Sequence, residues 1–374
     1  MKRIVITGLV LAAAMTAACK KKAADEGAGS GSMTAPPPPP APMRPSQNPQ
    51  TKLPPLEAST DPQNAAKVAL GNTLFFDKRL SVDGTLACYS CHQNEDGTGG
   101  HDPLAIGPGN KQLTRHAPVM WNVGYLKGAF YWDGRSATLE DQGKAALAGG
   151  NMGLGEDKLQ AKTDELLKVA GYKTLFKAAF GDAPITVDHV TQALAAYQRT
   201  IVCDQTPYDK FAAGDKTALT EGQQRGLDVF LGKGACNACH TPPHFSVALQ
   251  VEGGVYWNAG IGVAGKDPAA TEGPTAADLG RKKVTGKDAD WAAFKVPSLR
   301  DIGKSPPYFH DGSMASLEDA VHYMSSGASG PTSPNLSPLF NDKALTKDET
   351  GDLVDFLRGG LACPGGLTPP ASMP

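Results

Sequence analysis

The sequence lacks the net charge that would draw it to a polyanion. Its 374 residues hold 36 Lys and Arg against 38 Asp and Glu. Five of the basic residues lie within positions 1–22, and without them 31 basic residues face 38 acidic ones. A mildly acidic body argues against nucleic acid as a partner and weakly favours a basic donor protein. Beyond the N-terminus no apolar run is long enough to span a bilayer. Alternating strand patterns are few, so the fold class is mainly α. Cysteine is scarce as well, with seven in the chain. Neither close cysteine pair has further ligands at the spacing a zinc knuckle needs.

Glycine and proline, by contrast, are abundant: 43 and 30 residues. Much of the chain is therefore loop. Lys2 and Arg3, an apolar run over positions 4–15, and Thr16-Ala17-Ala18 before Cys19 read as a lipoprotein-type signal over 1–19. Cys19 would then carry the lipid and anchor the protein to the bacterial envelope; the alternative is an ordinary secretory signal cleaved nearby, and both place the protein in the periplasm. Residues 20–60 contain Pro36 to Pro40 and read as a disordered tether. Structure is expected to begin near Asp61.

The chemistry concentrates in CYSCH, from Cys88 to His92, which returns as CNACH, from Cys236 to His240. Two thiols two residues apart, followed at once by histidine, form the attachment signature of c-type haem. The cysteines add across the vinyl groups as thioethers, and the next imidazole lies under the iron as proximal ligand. A redox dithiol does not require that histidine, and here it occurs twice. The reading is therefore two covalently bound c-type haems, on Cys88, Cys91 and His92 and on Cys236, Cys239 and His240. Cys203 and Cys363 remain. Each ends an expected helical region in an oxidising compartment, so they are expected to form a disulfide.

Helical spacing of apolar residues predicts helices over 63–76, within 157–180 and over 186–202. The last carries a core stripe of Val187, Val190, Leu194, Tyr197 and Ile201. Residues 204–219 read as a connector. Thr220 with Gln223, Ser316 with Asp319, and Thr346 with Glu349 start three further helices, which run toward Leu231, Met324 and Arg358. Helix, turn and CxxCH thus occur in the same order twice, an internal duplication. This predicts two cytochrome c-like haem domains with long Gly/Pro-rich loops, at 61–204 and 205–363, and a tail at 364–374.

The stretches LGNTLFFDKRLSVDGTLACYSCH, RHAPVMWN, YWDGRSATLEDQ, TEGQQRGLDVF, VPSLRDI, PPYFHDGS and SLEDAVHYM occur in the order seen in one family. Over residues 65–358 the chain resembles the bacterial dihaem cytochrome c peroxidases and the related MauG-type enzymes. The resemblance implies a peroxide-reacting haem on the first motif and an electron-transfer haem on the second. It implies Met324 as axial ligand of the second iron, where a soft thioether raises the potential. MauG-type enzymes have tyrosine there, and Tyr323 is one residue out of register. His310 and Met314 are rival ligands, with His310 expected beside that haem. Trp132 matches the tryptophan between the haems, and Gln142 the distal glutamine.

Three departures from the family pattern bear on mechanism. Pro108 stands where the peroxidases have a distal histidine. Asn151-Met152 replaces the expected Glu-Met, with Glu156 a few residues late. His116 replaces an asparagine of the shared calcium site, although Ser305 and Pro307 keep its carbonyl region. Only Gln142, water, or a displaced His101 or His116 would then assist proton transfer. The resemblance implies reduction of hydrogen peroxide with electrons from a small periplasmic cytochrome c or cupredoxin. The alternatives are a MauG-like oxidase of a partner protein's aromatic side chain and a dihaem electron-transfer protein without substrate. The first haem is expected to be open and high-spin when oxidised.

Overall fold

The computed structural model describes residues 52–273, 276–327 and 333–374. They belong to a unit running from Pro39 to Pro374. The signal, Cys19 and most of the tether lie outside the described residues. The last part of the expected tether does not hang free: Tyr125 Oη donates to Pro54 O at 2.7 Å. The contact forms because a half-buried tyrosine hydroxyl takes the nearest free carbonyl.

Helices build the fold. Among the described residues the strands are four, of two residues each: β1 (Ile106–Gly107) with β2 (Lys111–Gln112), and β3 (Tyr256–Trp257) with β4 (Phe294–Lys295), both pairs antiparallel. No described helix is long and apolar enough to cross a membrane.

The first apolar cluster gathers Leu70, Leu74 and Phe75 of α1 (Asn64–Phe76) with Tyr172 and Phe176 of α4 (Ala170–Phe180) and the stripe of α5 (Val187–Gln198). Val190, Leu194, Tyr197 and Ile201 of that stripe are buried as expected. Helix α5 ends earlier than its pattern, and Ile201 is held instead by its carbonyl, which accepts from Asn122 N at 2.9 Å. The 157–180 region breaks into α3 (Leu159–Leu166) and α4.

The second cluster joins α7 (Glu221–Leu231), α9 (Leu317–Ser325) and α10 (Lys347–Asp355) around Phe230, Phe245 and Phe356. Capping boxes at Thr220 and Thr346, and the Ser316 cap, start these helices where the sequence indicates. Two helices of six residues or more were not anticipated. One is α2 (Leu139–Ala148), capped by Thr138, whose Oγ1 accepts from Asp141 N at 3.0 Å. The other is α6 (Pro207–Ala212), inside the expected connector, with a Thr206–Asp209 capping box. A short helix, α8 (Lys282–Thr285), lies in the loop before β4.

The clusters are tied together covalently. Cys203 is bonded to Cys363, with Cα atoms 5.6 Å apart, and both cysteines are buried in the first cluster. The following segment is not a loose tail. Leu367 packs into the first cluster, and Asn94 brackets it, accepting from Leu367 N at 2.6 Å and donating to Leu367 O at 3.0 Å.

Candidate functional site

Each CxxCH motif is one turn of 3-10 helix, Cys88–Ser90 and Cys236–Ala238. Ser90 Oγ closes the first turn by accepting from Ala87 N at 3.0 Å. In the second, His240 N donates back to Cys236 O at 2.9 Å. Tight turns of this kind bring both thiols and the histidine of a motif to one side. All four cysteines are unbridged. They line one cavity of about 750 Å³, together with His92 and His240. Burial pushes the Cys88 and Cys236 thiols up to about 12, and Cys239 up to about 11. Thiols held neutral in this way are poor metal thiolates and poor redox nucleophiles.

The two histidines share one hydrogen-bonding arrangement. His92 Nδ1 donates to Thr98 O at 2.8 Å. His240 Nδ1 lies 3.1 Å from Pro297 O and 3.2 Å from Phe245 O. A carbonyl can only accept, so in each ring Nδ1 carries the proton and Nε2 keeps its lone pair. Burial lowers both imidazoles below their ordinary range, His240 to about 4. Neutral imidazoles of fixed tautomer, neutral thiols and an enclosing cavity fit two covalently attached haems.

Gln142, Trp132 and Met324 all line the same cavity. Gln142 sits on α2, with its side chain hydrogen-bonded to Tyr131. Tyr131 Oη donates to the Gln142 carbonyl at 3.1 Å. Trp132 Nε1 donates to His116 O at 2.8 Å, which fixes the indole on the cavity wall. Its ring meets His310 edge-on at 6.5 Å between centroids. Met324 projects from α9, while Tyr323 is turned away, its hydroxyl donating to Ala259 O at 2.9 Å. His310 is buried, lines the cavity and stacks on Phe294 at 3.6 Å. Met314 packs against the second cluster and does not line the cavity.

Other candidates lie elsewhere. His101 is exposed between Asp96, at 3.1 Å, and Asp102, at 3.4 Å, and does not reach the cavity. His116 does line it, but its Nδ1 is bound to Asp102 O at 2.8 Å. Glu156 is exposed and outside the cavity wall, whereas Asn151 and Met152 line it. Pro108 sits in the turn of the β1–β2 hairpin, where Gly109 N donates to Asp83 Oδ2 at 3.0 Å; it is not a wall residue. Lys111, Gln112 and Leu113 face the cavity from that hairpin instead.

Sequence reasoning passed over Tyr131 and Lys295. Tyr131 holds a left-handed backbone, φ 69°, under the Arg135 guanidinium, which lies 3.5 Å from the ring centroid. Lys295 is in β4 and lines the cavity. A single charge inside the apolar run Trp291-Ala292-Ala293-Phe294-Lys295-Val296 was the available signal.

A family model described as di-haem cytochrome c peroxidase matches residues 65–217. The chain is 36% identical over 331 residues to the methylamine utilization protein MauG of Methylorubrum extorquens, covering 87% of this chain and 85% of that one. It is 35% identical over 313 residues to the cytochrome c551 peroxidase of Nitrosomonas europaea, covering 82% and 83%. Among solved structures, a MauG-like protein associated with microbial copper homeostasis superposes with a TM-score of 0.73 at 31% identity, covering 84% of this chain and 94% of that one.

Proposed function

From the premise that this chain belongs to the di-haem cytochrome c peroxidase family, we propose that it reduces hydrogen peroxide to water with two electrons from a small periplasmic cytochrome c or cupredoxin. The observation that carries this reading is the pair of CxxCH turns opening on one cavity, each with a histidine whose Nδ1 is tied to a carbonyl. The haems, when bound, supply an iron for peroxide beside His92 and an iron for electron entry beside His240. His92 and His240 would hold those irons through Nε2. Met324 offers a thioether to the second. Trp132, on the cavity wall, lies between the two halves in the electron path. Gln142 orients peroxide through its side-chain amide, beside Tyr131, and does not itself transfer a proton.

That last point limits the rate. Cleaving peroxide to water needs a proton removed from one oxygen and delivered to the other. In this reading the first haem has no histidine or glutamate on its distal side: His101 and Glu156 are exposed and off the cavity wall, and His116 lies close enough to His92 to disfavour its charge, on the His92 side of the cavity. General acid–base groups typically contribute about 10²–10⁴-fold, so turnover is slow by about that factor. The second reading, oxidation of a partner's aromatic side chain, draws on the same open position. Met324 rather than tyrosine at the second iron weighs against it. A calcium ion beside His116, Ser305 and Pro307 would be held by carbonyl oxygens, since the described residues form no cluster of three His, Cys, Asp or Glu. Covalent haem and the Cys203–Cys363 disulfide support a periplasmic site, and Cys19 the lipid anchor.

The test is rapid mixing of the oxidised dihaem protein with peroxide, with and without a reduced donor cytochrome. The oxidised protein should show one high-spin haem that binds cyanide without prior reduction. Each peroxide should then consume two donor electrons. A fully low-spin oxidised protein, or peroxide consumed with no donor oxidation, would overturn the proposal; tryptophan or tyrosine oxidation in a partner would favour the second reading.

A further inference from the structure

Lys295 is a cation on the cavity wall without an anion. Its backbone N donates to Trp132 O at 2.8 Å, which seats the side chain where the two halves of the chain meet. Among the described residues no carboxylate lies within 4 Å of its ammonium, and burial lowers that ammonium to about 8, with Asp133 opposing the shift. Asp133 is already engaged. Arg115 Nη1 reaches one of its oxygens at 2.7 Å and Arg135 Nη1 the other at 3.0 Å. Arg281 Nη1 donates to its carbonyl at 2.9 Å. The other carboxylate of the cluster, Asp278, is held by Arg115 Nη2 at 2.7 Å. The two carboxylates are thus taken up by Arg115 and Arg135, and Arg281 by backbone carbonyls, which leaves neither carboxylate to Lys295. An ammonium taken out of water without a partner is costly. Loss of its proton or an anion supplied from the cavity would relieve that cost.

We propose that Lys295 pairs with a carboxylate of the haem cofactor, and so sets the reduction potential of the haem it holds. The inference rests on the dihaem reading, and its chemistry is simple. Haem carries carboxylate side chains, the cavity is the haem site, and the unpaired ammonium lines it. Lys295 is then a positioning residue. Its positive charge offsets the carboxylate and favours the reduced, less positive iron. Without that charge the carboxylate stabilises the oxidised form.

The test is redox titration of Lys295→Met and Lys295→Arg in the full protein, with haem count checked by mass. Lys295→Met should shift the reduction equilibrium of one haem about tenfold toward the oxidised form, which is about 59 mV for one electron. Lys295→Arg, which keeps the charge, should restore most of it. A protein with two haems whose potentials are unchanged in Lys295→Met overturns the inference alone. So does a parent potential that varies with added phosphate, and loses that dependence in Lys295→Met, because the partner is then a free anion. Fewer than two haems in the parent overturns the dihaem reading and this inference together.

Discussion

His244 is buried, and among the described residues its Nδ1 has no hydrogen-bond partner. Its ring meets Tyr125 edge-on at 4.8 Å. Burial first, then the nearby Arg300 guanidinium, lowers its imidazole to about 4. The unfolded chain titrates near the ordinary value, about 6.5. Between these values the unfolded state binds the extra proton, so stability falls as the pH drops from about 6.5 toward 4. His244→Phe removes that proton site and keeps a ring against Tyr125. The parent should therefore lose more stability than the variant between pH 7 and pH 5, read from urea midpoints at the two pH values. Equal losses would show that His244 is protonated in the folded protein. Single residues were unevenly legible in the sequence. Pro108 could be read as a missing ligand, but its place depends on the β1–β2 register, which leaves it in the hairpin turn and turns Lys111, Gln112 and Leu113 to the cavity. His101 could be nominated by type, yet two aspartates hold it at the surface.

The helices cross at glycines in both halves. A Cβ on Gly71 of α1 would stand 1.9 Å from Ala193 O of α5, and one on Gly226 of α7 would stand 2.0 Å from Asp352 O of α10. Both neighbours are backbone, so neither can rotate away. Alanine at an exposed helix position gains about 1 kcal/mol over glycine, but here the crossing must open. Gly71→Ala should lower stability by about 1–3 kcal/mol in denaturant titration. A stabilised variant would mean the two helices can separate without cost. Crossings like these are invisible in a sequence without its partner helix. Long helices with a clear stripe or cap were readable: α1, α5, α7, α9 and α10 start where pattern or capping residues put them. Helices α2 and α6 were not. The segment LEDQGKAALA of α2 has its few large apolar residues too far apart for a stripe, and its Thr138 cap was the only sign. The six-residue α6 is too short for periodicity to register.

At the scale of the molecule, the C-terminal segment is a strap from the second cluster onto the first. Asp301 anchors it, with Oδ1 accepting from Cys363 N at 3.0 Å and Oδ2 from Trp121 Nε1 at 3.2 Å. Asn122 holds Cys203 from the other side, through Cys203 N at 2.8 Å and Cys203 O at 3.0 Å. Beyond the disulfide, Asn72 Nδ2 donates to Thr368 O at 2.9 Å and Arg79 Nη2 to Pro374 O at 3.0 Å. The two cysteines are 160 residues apart in sequence. Closing a loop that long limits the unfolded chain by about 5 kcal/mol in the entropy model. The strap's hydrogen bonds survive without the sulfur bridge, so the fold and both haems should persist when it is removed. The Cys203→Ala, Cys363→Ala double variant should bind two haems and unfold at clearly lower denaturant, by up to about 5 kcal/mol. Its stability should also no longer respond to reductant, whereas the parent's should fall. In the oxidised parent, unfolding in the presence of an alkylating reagent should label neither cysteine. Two labelled thiols there, or a double variant as stable as the parent, would show that packing and the strap alone hold the segment.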